Sequence, residues 1–310
     1  MSNIREVFLP HLNRTVKLGR RQPIASQPRM PFARYAAAPP SPPASIDYSG
    51  PARNSLSRVY LNDQLGCCVI SCMAHVEGVL TANAGSERIF TDTEITALYS
   101  AIGGYVPGNP NTDQGCDEQT ALAYWQNHGA GDDKIIGSLA LDPTNPTEYR
   151  TAIWLFENAV YGIPLPDKWL RNPQPGFVWD QGRPDPNNGH CIAAFGYNAQ
   201  GTLVDSWGML GQLTDAAHRV DVQEMYVVLS KNSLARASQK APNGFDWATL
   251  VGDFNALGGH VAPPPPDPTP TPTPPAPNSN AAKIAGLEIL AKLLGLPVHV
   301  PPSTSDTFSV

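Results

Sequence analysis

The first two thirds of the chain carry apolar residues at helical spacing. The clearest case runs from 68 to 80, where one face of the predicted helix is apolar: Val69, Cys72, Met73, Val76, Val79 and Leu80. Similar patterns predict helices over 91–101, 117–128 and 147–158. Either Thr91 or Asp92 is a suitable N-cap, because its side-chain oxygen can accept a hydrogen bond from a free backbone N–H.

The last third of the domain carries short apolar runs that are typical of strands. They cover 159–165, 191–197, 202–205 and 224–229. The helices precede most of the strands instead of alternating with them. The pattern therefore predicts an α+β fold with a helical N-terminal half and an antiparallel, β-rich C-terminal half.

Proline divides the chain into segments, since 33 of its 310 residues are proline and they cluster. We expect an extended N-terminal arm over 1–42 and a compact domain over 43–259. A Pro/Thr-rich linker over 260–278 should adopt the polyproline II conformation. A short helix and tail follow over 279–310.

The last segment contains one amphipathic pattern, over 281–294, in which Ile284, Leu287, Leu290 and Leu294 share a face. A single helix of this length is marginal in water. We therefore expect it to pack against a partner protein, its own domain or a membrane surface.

Charge is distributed unevenly along the chain. Residues 1–34 hold seven basic side chains and one acidic one, so this segment is +6. Because the whole chain is -6, the remainder is -12. We expect the basic arm to lie on its own acidic domain. Binding of a polyanion is the alternative, and nucleic acid is an unlikely partner.

The sequence shows no targeting signal and no membrane span. The first residues lack the run of 7–15 apolar residues of a signal peptide. No stretch reaches the roughly 18–20 apolar residues that a transmembrane segment needs. Five cysteines are an odd number, which disfavours a secreted disulfide framework. We expect a cytoplasmic or virion-associated protein.

The compact domain contains a thiol, an imidazole and a carboxylate, which together suit nucleophilic acyl transfer. Cys68 lies where a loop meets a predicted helix, whose dipole favours the thiolate. His190 opens a buried strand and is the candidate general base. Asp205 ends another strand and is the candidate for orienting His190. Trp207 would shield their hydrogen bond from water.

Two other features near Cys68 bear on the chemistry. His75 lies two helical turns away, about 10 Å, which is too far for direct proton transfer. Cys68, Cys72 and His75 share a helical face and could bind zinc, but no CxxC pair accompanies them. We therefore predict no metal and no cofactor. Asn62 or Gln64 could supply the side-chain amide of an oxyanion hole.

Several of these stretches resemble motifs of the papain-like (clan CA) cysteine peptidases. Asn62–Cys68 is similar to the family's Gln-x-x-x-Gly-x-Cys nucleophile loop, and most similar to that of papain-like proteins from phage and bacterial genomes. The segment 188–197 resembles the one that carries the family's histidine, and 205–208 resembles Asn-Ser-Trp-Gly. The resemblance covers most of 43–229.

The resemblance implies a two-lobed fold with the site in the cleft between a helical and a β-rich half. Gly66, Gly189 and Trp207 would then line the site around the Cys-His-Asp triad. Some positions depart from the family pattern: Asn62 aligns with its oxyanion glutamine, and Asp205 with its usual asparagine. The forty-odd residues before the domain are too few for the family's usual inhibitory prodomain, so none is expected.

Two functions are consistent with these observations. The first is a cysteine hydrolase, either peptidase or amidase, that cleaves a peptide or amide substrate through a covalent thioester. The alternative is a non-catalytic papain-fold protein with a structural or interaction role, tethered to an assembly by the Pro-rich tail.

Overall fold

A computed structural model describes residues 4–27, 29–36, 39–131, 133–241 and 245–256. The predicted linker over 260–278 and the predicted helix over 279–310 lie outside these ranges. Within them, no helix combines the length and the apolar character that a membrane span requires.

The described residues form a mixed helical and β structure, as the α+β prediction requires. The strands are β1 (Arg5–Leu9), β2 (Arg14–Leu18), β3 (Ile46–Asp47), β4 (Gly137–Ala140), β5 (Ala159–Pro164), β6 (Val178–Trp179), β7 (Gly189–Tyr197), β8 (Gly201–Ser206), β9 (Met209–Thr214) and β10 (Glu224–Leu229). The α-helices are α1 (Arg53–Leu56), α2 (Cys68–Ala82), α3 (Asp92–Gly103), α4 (Glu118–His128), α5 (Pro146–Phe156), α6 (Asp215–Asp221), α7 (Lys231–Lys240) and α8 (Trp247–Ala256).

One sheet organises the domain, with strand order β4-β10-β5-β7-β8-β9-β6 and β3 added beside β7. Its pairs are antiparallel except for β6 with β9. Strand β7 is buried along its whole length. Its side chains alternate between two cores, so that Ile192 and Ala194 face the first core and Cys191 and Ala193 face the second.

The two cores correspond to different sets of helices. The first contains Ile153 of α5 and Phe254 of α8. The second contains Val76 of α2, Ile95 of α3 and Leu122 of α4. Helix α2 is buried on every side over its first thirteen residues, because it packs between β7 and the neighbouring helices. Its first residue is Cys68.

The N-terminal arm is more ordered than its sequence predicts. Strands β1 and β2 pair as an antiparallel hairpin, with Asn13 in the left-handed conformation at the turn. Leu9, Val16 and Leu18 are fully or almost fully buried in the first core, so the packed unit begins well before residue 43. Alternation of buried and exposed positions in β2 is the signal for this hairpin.

Ion pairs also fix the arm to the domain. Arg14 lies 3.0 Å from Asp63, and Lys17 lies 3.0 Å from Asp113. The arm therefore covers the acidic domain, as expected from the charge distribution along the chain.

Candidate functional site

Helix α2 and strands β7 and β8 bring the three candidate catalytic residues to one place. Cys68, His190 and Asp205 line the same internal cavity and are each no more than 2% exposed. Asn62 and Trp207 line it too. The cavity measures about 10 Å³, which at best equals the roughly 10–15 Å³ that one water molecule needs. The site is therefore closed to any substrate in this structure.

His190 is held by its neighbours on β8. Its Nε2 lies 3.0 Å from Ser206 Oγ, and its ring stacks on Trp207 at 4.5 Å with 23° between the planes. Its Nδ1 has no hydrogen-bond partner among the described residues. Burial lowers the pKa of His190 to about 3, so the ring is neutral here.

Asp205 contacts a different histidine from the one predicted. Its Oδ1 lies 3.1 Å from Nδ1 of His75, whose Nε2 lies 2.9 Å from the Arg58 carbonyl oxygen. Val204 faces the first core, so strand alternation turns Asp205 toward α2, where His75 lies. The structure therefore corrects the assignment of Asp205 to His190: the Ser206 hydroxyl is the group that holds the ring.

Burial opposes charge on both members of this second pair. Burial raises the pKa of Asp205 well above its usual range, and an N–H from Gly208 only partly opposes that rise. Burial also lowers the pKa of His75 to about 4. His75 is therefore uncharged at neutral pH, and burial disfavours the charged form of Asp205.

Cys68 also lacks charge in the closed structure. Burial raises its pKa to about 12, although backbone N–H groups of Gly19 and Cys191 and the N-terminus of α2 favour the thiolate. A neutral thiol and a neutral imidazole therefore line one cavity, and the thiolate–imidazolium pair of an active cysteine site is not formed.

The two candidate oxyanion donors are placed differently. Asn62 is buried, and its Nδ2 donates to the carbonyl oxygens of Lys17 at 2.8 Å and Leu65 at 3.1 Å. Gln64 is exposed and does not line the cavity. Of the two, only Asn62 stands beside Cys68, and an arm carbonyl occupies its amide.

The arm crosses the site over residues 17–21. On one wall of the site, Lys17 N–H donates to Asn62, Arg21 N–H donates to Cys116, and Cys116 N–H donates to Gly19. On the other wall, Arg20 N–H donates to Gly189 at 3.1 Å. Five arm residues thus bridge both walls of the site beside Cys68.

Glycines permit this close approach of the arm. A Cβ atom at Gly19 would lie 1.9 Å from the Gly66 carbonyl oxygen, and one at Gly189 would lie 2.2 Å from the Arg20 carbonyl oxygen. Both contacts are with backbone, which cannot move aside as a side chain can. Gly66 and Gly189, predicted to line the site, therefore contact the arm here.

Strained backbone conformations flank the cavity. Tyr60 and Leu61, shortly before the nucleophile loop, have φ of 50° and 62°, and Trp207 has φ of 54°. Bulky residues in this region cost about 1–3 kcal/mol each. Such strain concentrates at functional sites, and the sequence offers no signal for it.

The zinc alternative gains no support from the geometry. No group of three His, Cys, Asp or Glu side chains among the described residues is arranged to hold a metal ion. The five cysteines are buried and free, including Cys67 beside the candidate nucleophile.

The architecture is similar to that of solved cysteine protease structures. No family model and no curated protein matches the chain at a significant level. Among solved structures, xylellain, a cysteine protease from Xylella fastidiosa, aligns with a TM-score of 0.55 and 12% identity, covering 73% of this chain and 98% of that one. Digestive procathepsin L2 proteinase from Tenebrio molitor larval midgut aligns with a TM-score of 0.50 and 12% identity, covering 68% and 78%.

Identities this low establish the fold alone. Both structures are papain-like cysteine proteases by fold, and both cover about 70% of this chain. The helical half with Cys68 at the start of α2 and the β-rich half with His190 correspond to the two lobes that the sequence motifs imply. The chain therefore has the papain-like fold.

Proposed function

We propose that this protein is a cysteine hydrolase that cleaves peptide or amide bonds. The observation that carries the proposal is the convergence of Cys68, His190 and Ser206 on one cavity at the N-terminus of α2. Papain-like neighbours suggest a peptide substrate.

The chemistry would use each of these groups in a distinct role. The Cys68 proton passes to Nδ1 of His190, the ring nitrogen that has no partner in the closed structure. The thiolate forms a bond to the substrate carbonyl carbon. The C–N bond then breaks as His190 returns the proton to the leaving amine, and water hydrolyses the resulting thioester.

Ser206 and Trp207 would position the imidazole for both proton transfers. Ser206 Oγ holds Nε2, while the Trp207 ring covers one face of the imidazole. Asp205 has no direct contact with His190 in this arrangement and pairs with His75, which lines the same cavity.

Withdrawal of the arm would supply the remaining elements of the site. It would free the Asn62 amide from the Lys17 carbonyl, so that this amide and the Cys68 N–H could stabilise an oxyanion. It would also admit water. Because burial is the main cause of the raised thiol pKa, hydration would favour the thiolate–imidazolium pair.

The closed cavity also favours a second function, that of a non-catalytic papain-fold protein with a structural or interaction role. In that case the arm would never leave, and Cys68 would be a buried core residue. The two functions differ in whether the thiol is reactive.

Active-site labelling of the full-length chain tests the proposal. A thiol-reactive peptide probe should modify Cys68 faster than the other four cysteines, as read by mass spectrometry, and Cys68→Ala should abolish both the label and hydrolysis of peptides. Gly19→Ala, which forces the arm away, should increase labelling. If Cys68 stays unmodified in Gly19→Ala while the protein remains folded, the non-catalytic function is favoured.

A further inference from the structure

Arg20 of the arm fills a pocket in the domain beside the candidate site. Its side chain is completely buried. Its Nε donates to both carboxylate oxygens of Glu118 at 2.8 and 3.0 Å, and its two terminal nitrogens donate to Gln223 at 2.7 Å and to Glu224.

The pocket belongs to the domain and not to the arm. Glu118 is the first residue of α4, Gln223 and Glu224 lie at the start of β10, and Gly162 of β5 forms the floor. A Cβ atom at Gly162 would lie 2.5 Å from the Arg20 guanidinium. The Tyr226 hydroxyl donates to Glu224 at 2.7 Å and fixes that carboxylate.

The pocket opens next to the thiol. The backbone N–H of Arg20 donates to Gly189, whose neighbour is His190, and the N–H of Gly19 donates to Cys68. A groove of about 650 Å³ runs along arm residues 18–22, between Gln114 and the segment 186–189. A peptide in the place of the arm would therefore present one side chain to the pocket and its backbone to Cys68.

The carboxyl groups of the pocket lie beside the positive charge of the Arg20 guanidinium. Burial raises the pKa of Glu118 well above its usual range. Burial also tends to raise the pKa of Glu224, but hydrogen bonds from Glu118, Arg20 and Tyr226 lower it overall. Burial therefore disfavours charge on Glu118, while the lowered pKa of Glu224 keeps negative charge beside Arg20.

We propose that the pocket formed by Glu118, Gln223 and Glu224 selects an arginine side chain of the substrate, and that Arg20 occupies it as a stand-in while the arm is closed. This inference rests on the hydrolase function proposed above. The substrate class is an extended peptide that contains arginine.

The geometry favours arginine over lysine. The three nitrogens of the planar guanidinium donate to three different side chains, Glu118, Gln223 and Glu224. The ammonium of lysine is a single point charge and cannot reach all three in that arrangement.

The test compares arginine with citrulline, which has almost the same shape but no charge. Thiol-reactive peptide probes carry one or the other at each of the three positions before the reactive group. They are applied to full-length Gly19→Ala, in which the arm is displaced. The matched control is Gly50→Ala, where an added Cβ meets open space and the arm should stay closed.

We expect one arginine probe to label Cys68 of Gly19→Ala at least about tenfold faster than its citrulline twin, because a hydrogen bond to a charged group is worth about 1.5–3 kcal/mol. Glu224→Gln, added to Gly19→Ala, should reduce that ratio toward one. If this double variant fails to fold, the ratio of arginine to citrulline labelling rates in Gly19→Ala still tests the proposal.

Different results separate the two proposals. Equal rates for the arginine and citrulline probes, with Cys68 still labelled, would overturn the pocket's role and leave the hydrolase intact. If no probe labels Cys68, the proposed hydrolase function is refuted. In that case, calorimetry with a peptide of residues 16–24, carrying arginine or citrulline at position 20, decides the pocket's preference: equal affinities overturn it and tighter binding of arginine supports it.

Discussion

Gly19→Ala should open the candidate site, because it adds a Cβ atom where the arm lies directly against the backbone of the domain. The new Cβ atom would lie 1.9 Å from the backbone oxygen of Gly66, far inside contact distance. Neither side can yield without moving backbone. The arm must therefore shift by about an ångström or more at the point where it crosses Cys68.

The magnitude follows from the contacts that the shift would disturb. Four backbone hydrogen bonds join arm residues 17–21 to the site walls. At about 1 kcal/mol each, losing half of them would favour opening by about 2 kcal/mol. That is roughly a 30-fold increase in the open population.

Alkylation of Cys68 by iodoacetamide measures the open population directly, since the closed cavity excludes the reagent. The rate in Gly19→Ala should exceed that of the unmodified chain by roughly 30-fold, with Gly50→Ala as the matched control that leaves the rate unchanged. Equal rates in Gly19→Ala and Gly50→Ala, both folded, would refute the idea that the arm closes the site.

Three further predictions concern single side chains. Ser206→Ala should lower kcat for a peptide substrate about tenfold, because it removes a hydrogen bond that holds His190; Asp205→Asn should lower kcat less and Ser206→Thr should restore it, so an equal loss in Asp205→Asn would count against Ser206 as the positioning group. Arg20→Met should lower the free energy of unfolding in urea by about 3–5 kcal/mol, because it removes the buried cation that pairs with Glu118 and Glu224 and leaves Glu224 only the partly exposed Arg29 at 3.5 Å; an unchanged urea midpoint would contradict the burial argument. His218 has its pKa lowered to about 3 by burial, so the unfolded chain binds its proton first and stability falls as pH drops below about 6.5; relative to His218→Gln, the unmodified chain should lose about 2 kcal/mol between pH 7 and pH 5 in urea unfolding, and parallel pH curves would exclude this linkage.

Local patterns predicted the elements that carry the site. The helix expected over 68–80 is α2 (Cys68–Ala82), and the strand expected over 191–197 lies within β7 (Gly189–Tyr197). Both are long and strongly apolar, so burial imposes their pattern on the sequence. The α+β class and the papain-like fold followed from the order of these elements and from the motifs on them.

Contacts between residues far apart in sequence could not be predicted, because they depend on which elements pack together. The partner of Asp205 is set by the face of β8 that points at α2. No local sequence pattern around Asp205 indicates that this partner is His75. The path of the arm depends on bonds between residues about a hundred or more apart, such as Arg20 with Glu118 and Glu224. The sequence prediction leaves out α7, in which Leu234 is the one large apolar residue, and also α8, although Trp247, Leu250, Val251 and Phe254 stand at helical spacing there.

Burial of the five free thiols bears on how this protein withstands oxidants. In the closed structure, Cys68 is a neutral thiol with almost no exposed surface, and peroxide reacts with exposed thiolates. The segment that excludes substrate therefore also protects the sulfur from conversion to sulfenic acid. We expect the intact chain to keep its thiols through aerobic storage, and a preparation whose arm has been displaced to need a reductant.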